Sequence, residues 1–93
     1  MSAKATQPYS LHFTKAAKRD IKRLKKHDRQ VLASIDAAIK ALASNPRPHG
    51  VKHLGGDRHR VRVGDYRIIY RIDDGKRETW VTRIRGRKDV YKH

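Results

Sequence analysis

The stretch RVRVGDYRIIYR, residues 60–71, sets two runs of alternating residues on either side of Gly64-Asp65. Few folds accommodate that pattern. Side chains along a strand point to opposite faces in turn, and a two-residue link carrying glycine closes a tight hairpin. Closure at Gly64-Asp65 sets Val63 opposite Tyr66, Arg62 opposite Arg67, Val61 opposite Ile68 and Arg60 opposite Ile69. One face then collects Val61, Val63, Tyr66, Ile68, Tyr70 and Ile72, and the other collects Arg60, Arg62, Arg67 and Arg71 around Ile69. The first face needs an apolar cover. The second is too charged to accept one.

The cover is encoded upstream. Thr14 is a helix N-cap, and Ala17, Ile21 and Leu24 follow at helical spacing among Lys15, Lys18, Arg19, Lys22, Arg23, Lys25 and Lys26. This predicts a strongly basic amphipathic helix from Lys15 to about His27. Asp28 caps a second helix from Arg29 to Ser44, with Val31, Ile35, Ala38, Ile39 and Leu42 on its apolar stripe. Asn45-Pro46 ends it, because proline disfavours helical geometry in the residue before it. Tyr9, Leu11 and Phe13 alternate as a short strand ahead of both helices, and residues 46–57, rich in proline and glycine, read as loop anchored by Val51 and Leu54. Strands at 58–63, 66–72 and 79–85 are separated by Gly64-Asp65 and by Asp73-Asp74-Gly75. The expected fold is α+β: an N-terminal strand, a helical hairpin and an antiparallel three-stranded β-meander, forming a small twisted sheet with the helices packed on one face. A chain of 93 residues is read as one domain, with residues 1–8 frayed.

Charge narrows the partners. Lys and Arg number 24 against 9 Asp and Glu, for a formal charge of +15, which favours a polyanion and steered encounter. The chain has no cysteine, which excludes a disulfide scaffold, a thiolate metal site and a cysteine nucleophile. The first residues carry no secretory signal, and no run approaches the roughly 20 apolar residues that span a bilayer. A cytoplasmic protein without membrane contact is expected. His49, His53 and His59 lie in or near the loop with only Asp57 for company, so no metal is assigned there and no cofactor is expected. The "LGGD" segment lacks the ending of a phosphate-cradling loop.

Like charges directly opposite on a sheet destabilise it by an amount comparable to the roughly 0.2–1 kcal/mol of a favourable cross-strand pair. One such pair splays into solvent at little cost, but four arginines on one hairpin face point to a ligand. Arginine grips phosphate oxygens through a planar fork and keeps its charge at any physiological pH. A basic sheet face of this kind suits single-stranded RNA better than a duplex groove.

The sequence also resembles the RelE/ParE superfamily of bacterial toxins, and specifically its RelE-type messenger-RNA endonucleases. The resemblance runs from Tyr9 to Tyr91. It is carried by "RVRVGDYRIIYRID", by the closing "IRGRKDVY", by "VKHLGG" before the hairpin and by the basic first helix. It implies a toxin of a type II toxin–antitoxin system, monomeric by itself and hetero-oligomeric with an acidic antitoxin. Such a toxin enters the ribosomal A site and cleaves mRNA by attack of a ribose 2′-hydroxyl on the adjacent phosphate, inhibiting translation without a metal.

Carried over position by position, the resemblance makes Arg67 the transition-state-stabilising arginine, Arg87 the arginine of the closing segment and Tyr91 the catalytic tyrosine. Arg60 and Arg62 fall where relatives carry basic residues before the turn. An arginine is a poor base, so Tyr91 is assigned that role and Arg62 or Arg87 steadies the leaving oxygen. The catalytic set is then Arg62, Arg67, Arg87 and Tyr91, with Arg60, Lys52, Arg58, Arg85 and Lys88 assisting RNA binding. Hairpin parity turns Tyr66 and Tyr70 to the core, and Trp80 is read as a packing residue. Two other activities fit the same fold: a ParE-type inhibitor of DNA gyrase, and an RNA- or ribosome-binding module without catalysis.

Overall fold

The computed structural model describes residues 8–86. Along them run β1 (Ser10–Phe13), α1 (Lys15–His27), α2 (Arg29–Ser44), β2 (Lys52–Gly55), β3 (Arg58–Val63), β4 (Tyr66–Asp73) and β5 (Glu78–Gly86). They form one five-stranded sheet in the order β1-β5-β4-β3-β2. The strands β2 to β5 form an antiparallel meander, and β1 lies parallel to β5 at the far edge. The meander therefore has four strands where sequence predicts three. The added strand, β2, falls in the segment expected to be loop. Only four residues long, it gains its ladder from β3, with Lys52 opposite Arg60 and His53 opposite His59.

Both helices begin where their caps place them. Thr14 Oγ1 accepts the Ala17 amide at 3.1 Å and Asp28 Oδ1 accepts the Val31 amide at 3.4 Å. The buried helical residues Ala17, Leu24, Ile35, Ile39 and Leu42 meet Ile68, Tyr70, Ile72, Val81 and Ile84 of the sheet in one core. Tyr70 is fully buried and its hydroxyl donates to the Pro46 carbonyl at 2.8 Å, while Tyr66 is partly buried against the same core. Both tyrosines thus face the core, as hairpin parity requires. Burial pushes the Tyr70 phenol up to about 12.

The sheet edge beyond β1 is closed by α1 itself. β1 pairs with β5 only as far as Val81, so the next stretch of β5 would present unpaired backbone groups. Thr14 meets the first of these, its amide donating to the Val81 carbonyl at 3.0 Å and its hydroxyl to the Thr82 carbonyl at 2.9 Å. Asp20, buried on α1, accepts both the Ile84 amide at 2.8 Å and Arg83 Nε at 2.9 Å through Oδ2. A carboxylate thus substitutes for the missing neighbouring strand.

At the opposite end of β1, Tyr9 donates to Asp74 Oδ1 at 2.6 Å, and Arg47 grips both oxygens of Asp74 at 3.2 and 2.8 Å. The Tyr9 amide donates to the Ala43 carbonyl at 2.7 Å and the Arg77 guanidinium lies 4.8 Å from the Tyr9 ring centroid. The β4–β5 turn, the exit from α2 and the entry to β1 are joined there. The left-handed backbone of that turn falls on Arg77, with φ of 53°, and not on Gly75.

Asp20→Ala leaves the Ile84 amide without its acceptor in a buried setting. It should lower unfolding free energy by about 2–3 kcal/mol, measured by urea denaturation, with Asp20→Asn falling in between. The Arg47 and Tyr9 hydrogen bonds hold the Asp74 carboxyl at about 2, below its ordinary 3.8. Because the folded value is depressed, this group's contribution is fully present above about pH 4 and is lost as pH falls toward 2. Carboxyl-carbon NMR should show a midpoint near 2 that rises toward the ordinary range in Arg47→Ala.

Candidate nucleic-acid interface

The face of the sheet away from the helices is organised by register. In the row nearest the β3–β4 turn, Arg62, Arg67 and Arg85 are direct partners across β3, β4 and β5. Adjacent strands lie about 4.8 Å apart, so three guanidinium side chains rise from neighbouring backbones. The next row holds Lys52, Arg60, Ile69 and Arg83. The third holds Arg58, Arg71, Trp80 and His12. Arg58 and Arg62 are exposed; Arg60, Arg67 and Arg85 are partly buried. Among the described residues, none of these five arginines is paired with a carboxylate.

Two members of the face are neutralised. Arg71, expected to stand in the free guanidinium row, donates through Nε to both oxygens of Asp57 at 3.2 and 3.1 Å, with a further 3.1 Å contact from Nη2. The hydrogen bond from Arg71 draws the Asp57 carboxyl below its ordinary value. Arg83 reaches back over the β5 edge to Asp20. The expectation that Arg60, Arg62 and Arg67 share one helix-free face therefore holds, and Arg85 joins them. Arg71 shares that face as a paired residue. Arg87, Lys88 and Tyr91 lie outside the described residues, as do residues 1–7.

Trp80 departs from expectation. Among the described residues it is the large apolar side chain left exposed, and it lies on the arginine face stacked on His12, ring centroids 4.6 Å apart. The cause is a register shift between Ile69 and Tyr70, which partner Arg83 and Val81 and leave Thr82 as an extra residue on β5. Thr82 Oγ1 donates to the Ile69 carbonyl at 3.0 Å across this irregularity. Strict alternation would place Trp80 on the same face as Ile84; the extra residue turns Ile84 to the core while Trp80 stays outside.

On the core side, the His53 and His59 rings stand 4.9 Å apart, and His59 lies 5.8 Å from Tyr70. No group of three or more metal-ligating side chains occurs among the described residues. Gly86 ends β5 directly against Tyr66, where an added Cβ would meet the ring at 3.0 Å.

A small sheet with one helix-covered face and one guanidinium-rich face defines a compact basic class, and comparison with known proteins gives it a family. Residues 11–91 match the model of the ParE toxin of the type II toxin–antitoxin system, parDE. The chain is 34% identical over 88 residues to Toxin RelE of Mycobacterium tuberculosis, covering 91% of this chain and 88% of that protein. It is 33% identical over 88 residues to Toxin RelG of the same organism, covering 91% and 98%. The crystal structure of the toxin–antitoxin complex RelBE2 from M. tuberculosis superposes with a TM-score of 0.71 at 30% identity, covering 86% of this chain and 99% of that one. The chain belongs to the RelE/ParE family of toxins of type II toxin–antitoxin systems. No helix among the described residues is long and apolar enough to cross a membrane.

Removing Arg71 should release Asp57. In Arg71→Ala the Asp57 carboxyl should titrate closer to an ordinary aspartate, a rise readable by carboxyl-carbon NMR. An unchanged midpoint would show that the ion pair does not set it.

Proposed function

We propose that this single-domain chain is an endoribonuclease that cleaves messenger RNA in the ribosomal A site, and that an acidic antitoxin holds it inactive. The observation that carries the reading is the row of Arg62, Arg67 and Arg85 on the helix-free face, paired with no carboxylate among the described residues. Three fixed positive charges on adjacent strands repel one another, and a phosphodiester between them relieves that repulsion while gaining charge-assisted hydrogen bonds.

In the proposed reaction a ribose 2′-hydroxyl attacks the neighbouring phosphorus. The new P–O2′ bond closes a 2′,3′-cyclic phosphate, and the P–O5′ bond breaks to leave a 5′-hydroxyl. Tyr91, ionised in the surrounding positive field, takes the 2′-proton, Arg67 and Arg85 hold the equatorial oxygens, and Arg62 or Arg87 steadies the departing 5′-oxygen until it takes a proton from water. Arg60, Arg58, Lys52 and Lys88 draw in the flanking phosphates. None of these steps calls on a metal or cofactor. The exposed basic face of α1, with Lys15, Lys18, Lys22, Lys25 and Lys26, suits ribosomal RNA or the antitoxin. Support for a protein partner comes from the RelBE2 relative, which is itself a toxin–antitoxin complex. Translating ribosomes as the target place the protein in the cytoplasm.

A second reading has its own support, since the matching family model is described by the parDE system. On that reading the chain inhibits DNA gyrase and leaves RNA intact. A cell-free translation reaction with mapped message 5′ ends, run beside a gyrase supercoiling assay, separates the two. Codon-phased cuts should appear, fall by about 100-fold or more in Arg67→Ala, and disappear in Tyr91→Phe. Intact message with inhibited supercoiling would establish the gyrase reading instead; neither effect would leave a binding module.

A further inference from the structure

The arginine face carries an aromatic group that the cleavage chemistry does not use. Trp80 is 37% exposed, and register sets it between His12 on β1 and Arg71 on β4. Its indole is held from two sides. His12 stacks on it with the planes 17° apart, and Nε1 donates to Glu78 Oε1 at 3.1 Å. Beside it opens a cavity of about 290 Å³ whose border includes Trp80, Arg71, Lys76, Asp57, Asp73 and Glu78. That volume lies at the small end of ligand sites and suits one planar group. Along β4, Arg71 lies four residues from Arg67, about 13 Å at the rise of a strand.

We infer that this cavity is a base-binding subsite, in which one unstacked nucleobase of single-stranded RNA lies against Trp80 while the strand's phosphates continue onto Arg62, Arg67 and Arg85. The inference rests on the RNA reading above and deepens it by naming a residue that contacts a base. Its physical basis is threefold. An aromatic face held in place in solvent is a stacking surface that loses little entropy on use. The cavity opens on the same sheet face as Arg62, Arg67 and Arg85, and Arg71 at its border lies on the same strand as Arg67, so a polyanion held on that row can carry a base to the indole. With Asp57 held by Arg71, the rim carboxylates Asp73 and Glu78 accept hydrogen bonds, which favours bases presenting amino groups: adenine, cytosine and guanine. Uracil, with two carbonyl oxygens and one imino hydrogen, is the poorest fit.

The chain holds a single tryptophan, so its fluorescence reports this site alone. Short, end-labelled 2′-O-methyl oligonucleotides resist 2′-hydroxyl chemistry and serve as the probe, with affinity read by anisotropy. Adenine and cytosine oligomers should quench Trp80 on binding and bind more tightly than the uracil oligomer. Trp80→Ala should raise Kd for the adenine oligomer by about 5- to 150-fold, the range for loss of one base–aromatic stack, with the salt dependence unchanged. Trp80→Phe should keep most of the affinity. Arg62→Ala should instead reduce the log–log salt slope by about 0.7, as for one single-strand phosphate contact. If Trp80→Ala binds like the parent while Arg62→Ala loses affinity and slope, the subsite is overturned and the RNA face stands. Parental affinity in both variants overturns the two together.

Discussion

The β3–β4 register is the constraint from which the rest of the structure follows. Gly64 takes a positive φ of 60°, the sign required at the first central position of a two-residue hairpin turn in the mirror-image class. The turn thereby fixes Val63 opposite Tyr66 and Arg62 opposite Arg67. Because side chains alternate with a period of two, a slip of one residue would send the arginines under the helices and the valines into water. The core on one side and the cationic row on the other are consequences of a single pairing decision, and α1 and α2 have only one face on which to settle.

Distribution of negative charge reinforces the division. The chain has 9 acidic residues against 24 basic ones, and most of the described carboxylates have structural partners. Asp20 closes the β5 edge, Asp28 caps α2, Asp74 ties Arg47 to Tyr9, Asp57 holds Arg71 and Asp36 pairs with Lys40. None is placed against Arg62, Arg67 or Arg85. A fold able to pair arginines elsewhere leaves these three side by side with no carboxylate partner among the described residues, a local conflict of the kind that marks functional sites.

Much of this was legible in the sequence because it depends on local signals. Thr14 and Asp28 mark both helix starts, Asn45-Pro46 marks an end, and the valine–arginine alternation fixes the faces of β3 and β4. Other features depend on contacts distant in sequence. Residues 52–55 become a strand only because β3 is there to pair with them, and the Gly55-Gly56 pair at their end reads locally as loop. Asp57 neutralises Arg71 across 14 positions of chain. The exposure of Trp80 depends on an extra residue at Thr82, which breaks strict alternation along β5. Nothing local sets Asp20 apart within its run of basic residues; the free edge of β5 makes it structural.

Arginine side-chain NMR offers the most direct test, since each guanidinium has its own Nε–Hε resonance. On titration with a cleavage-resistant single-stranded RNA, the Hε signals of Arg62, Arg67 and Arg85 should shift together and saturate at one concentration. Those of Arg47 and Arg83, already committed to Asp74 and Asp20, should stay in place. Shifts confined to Arg19 and Arg23 on α1, with the three sheet arginines silent, would contradict a phosphodiester held on the sheet.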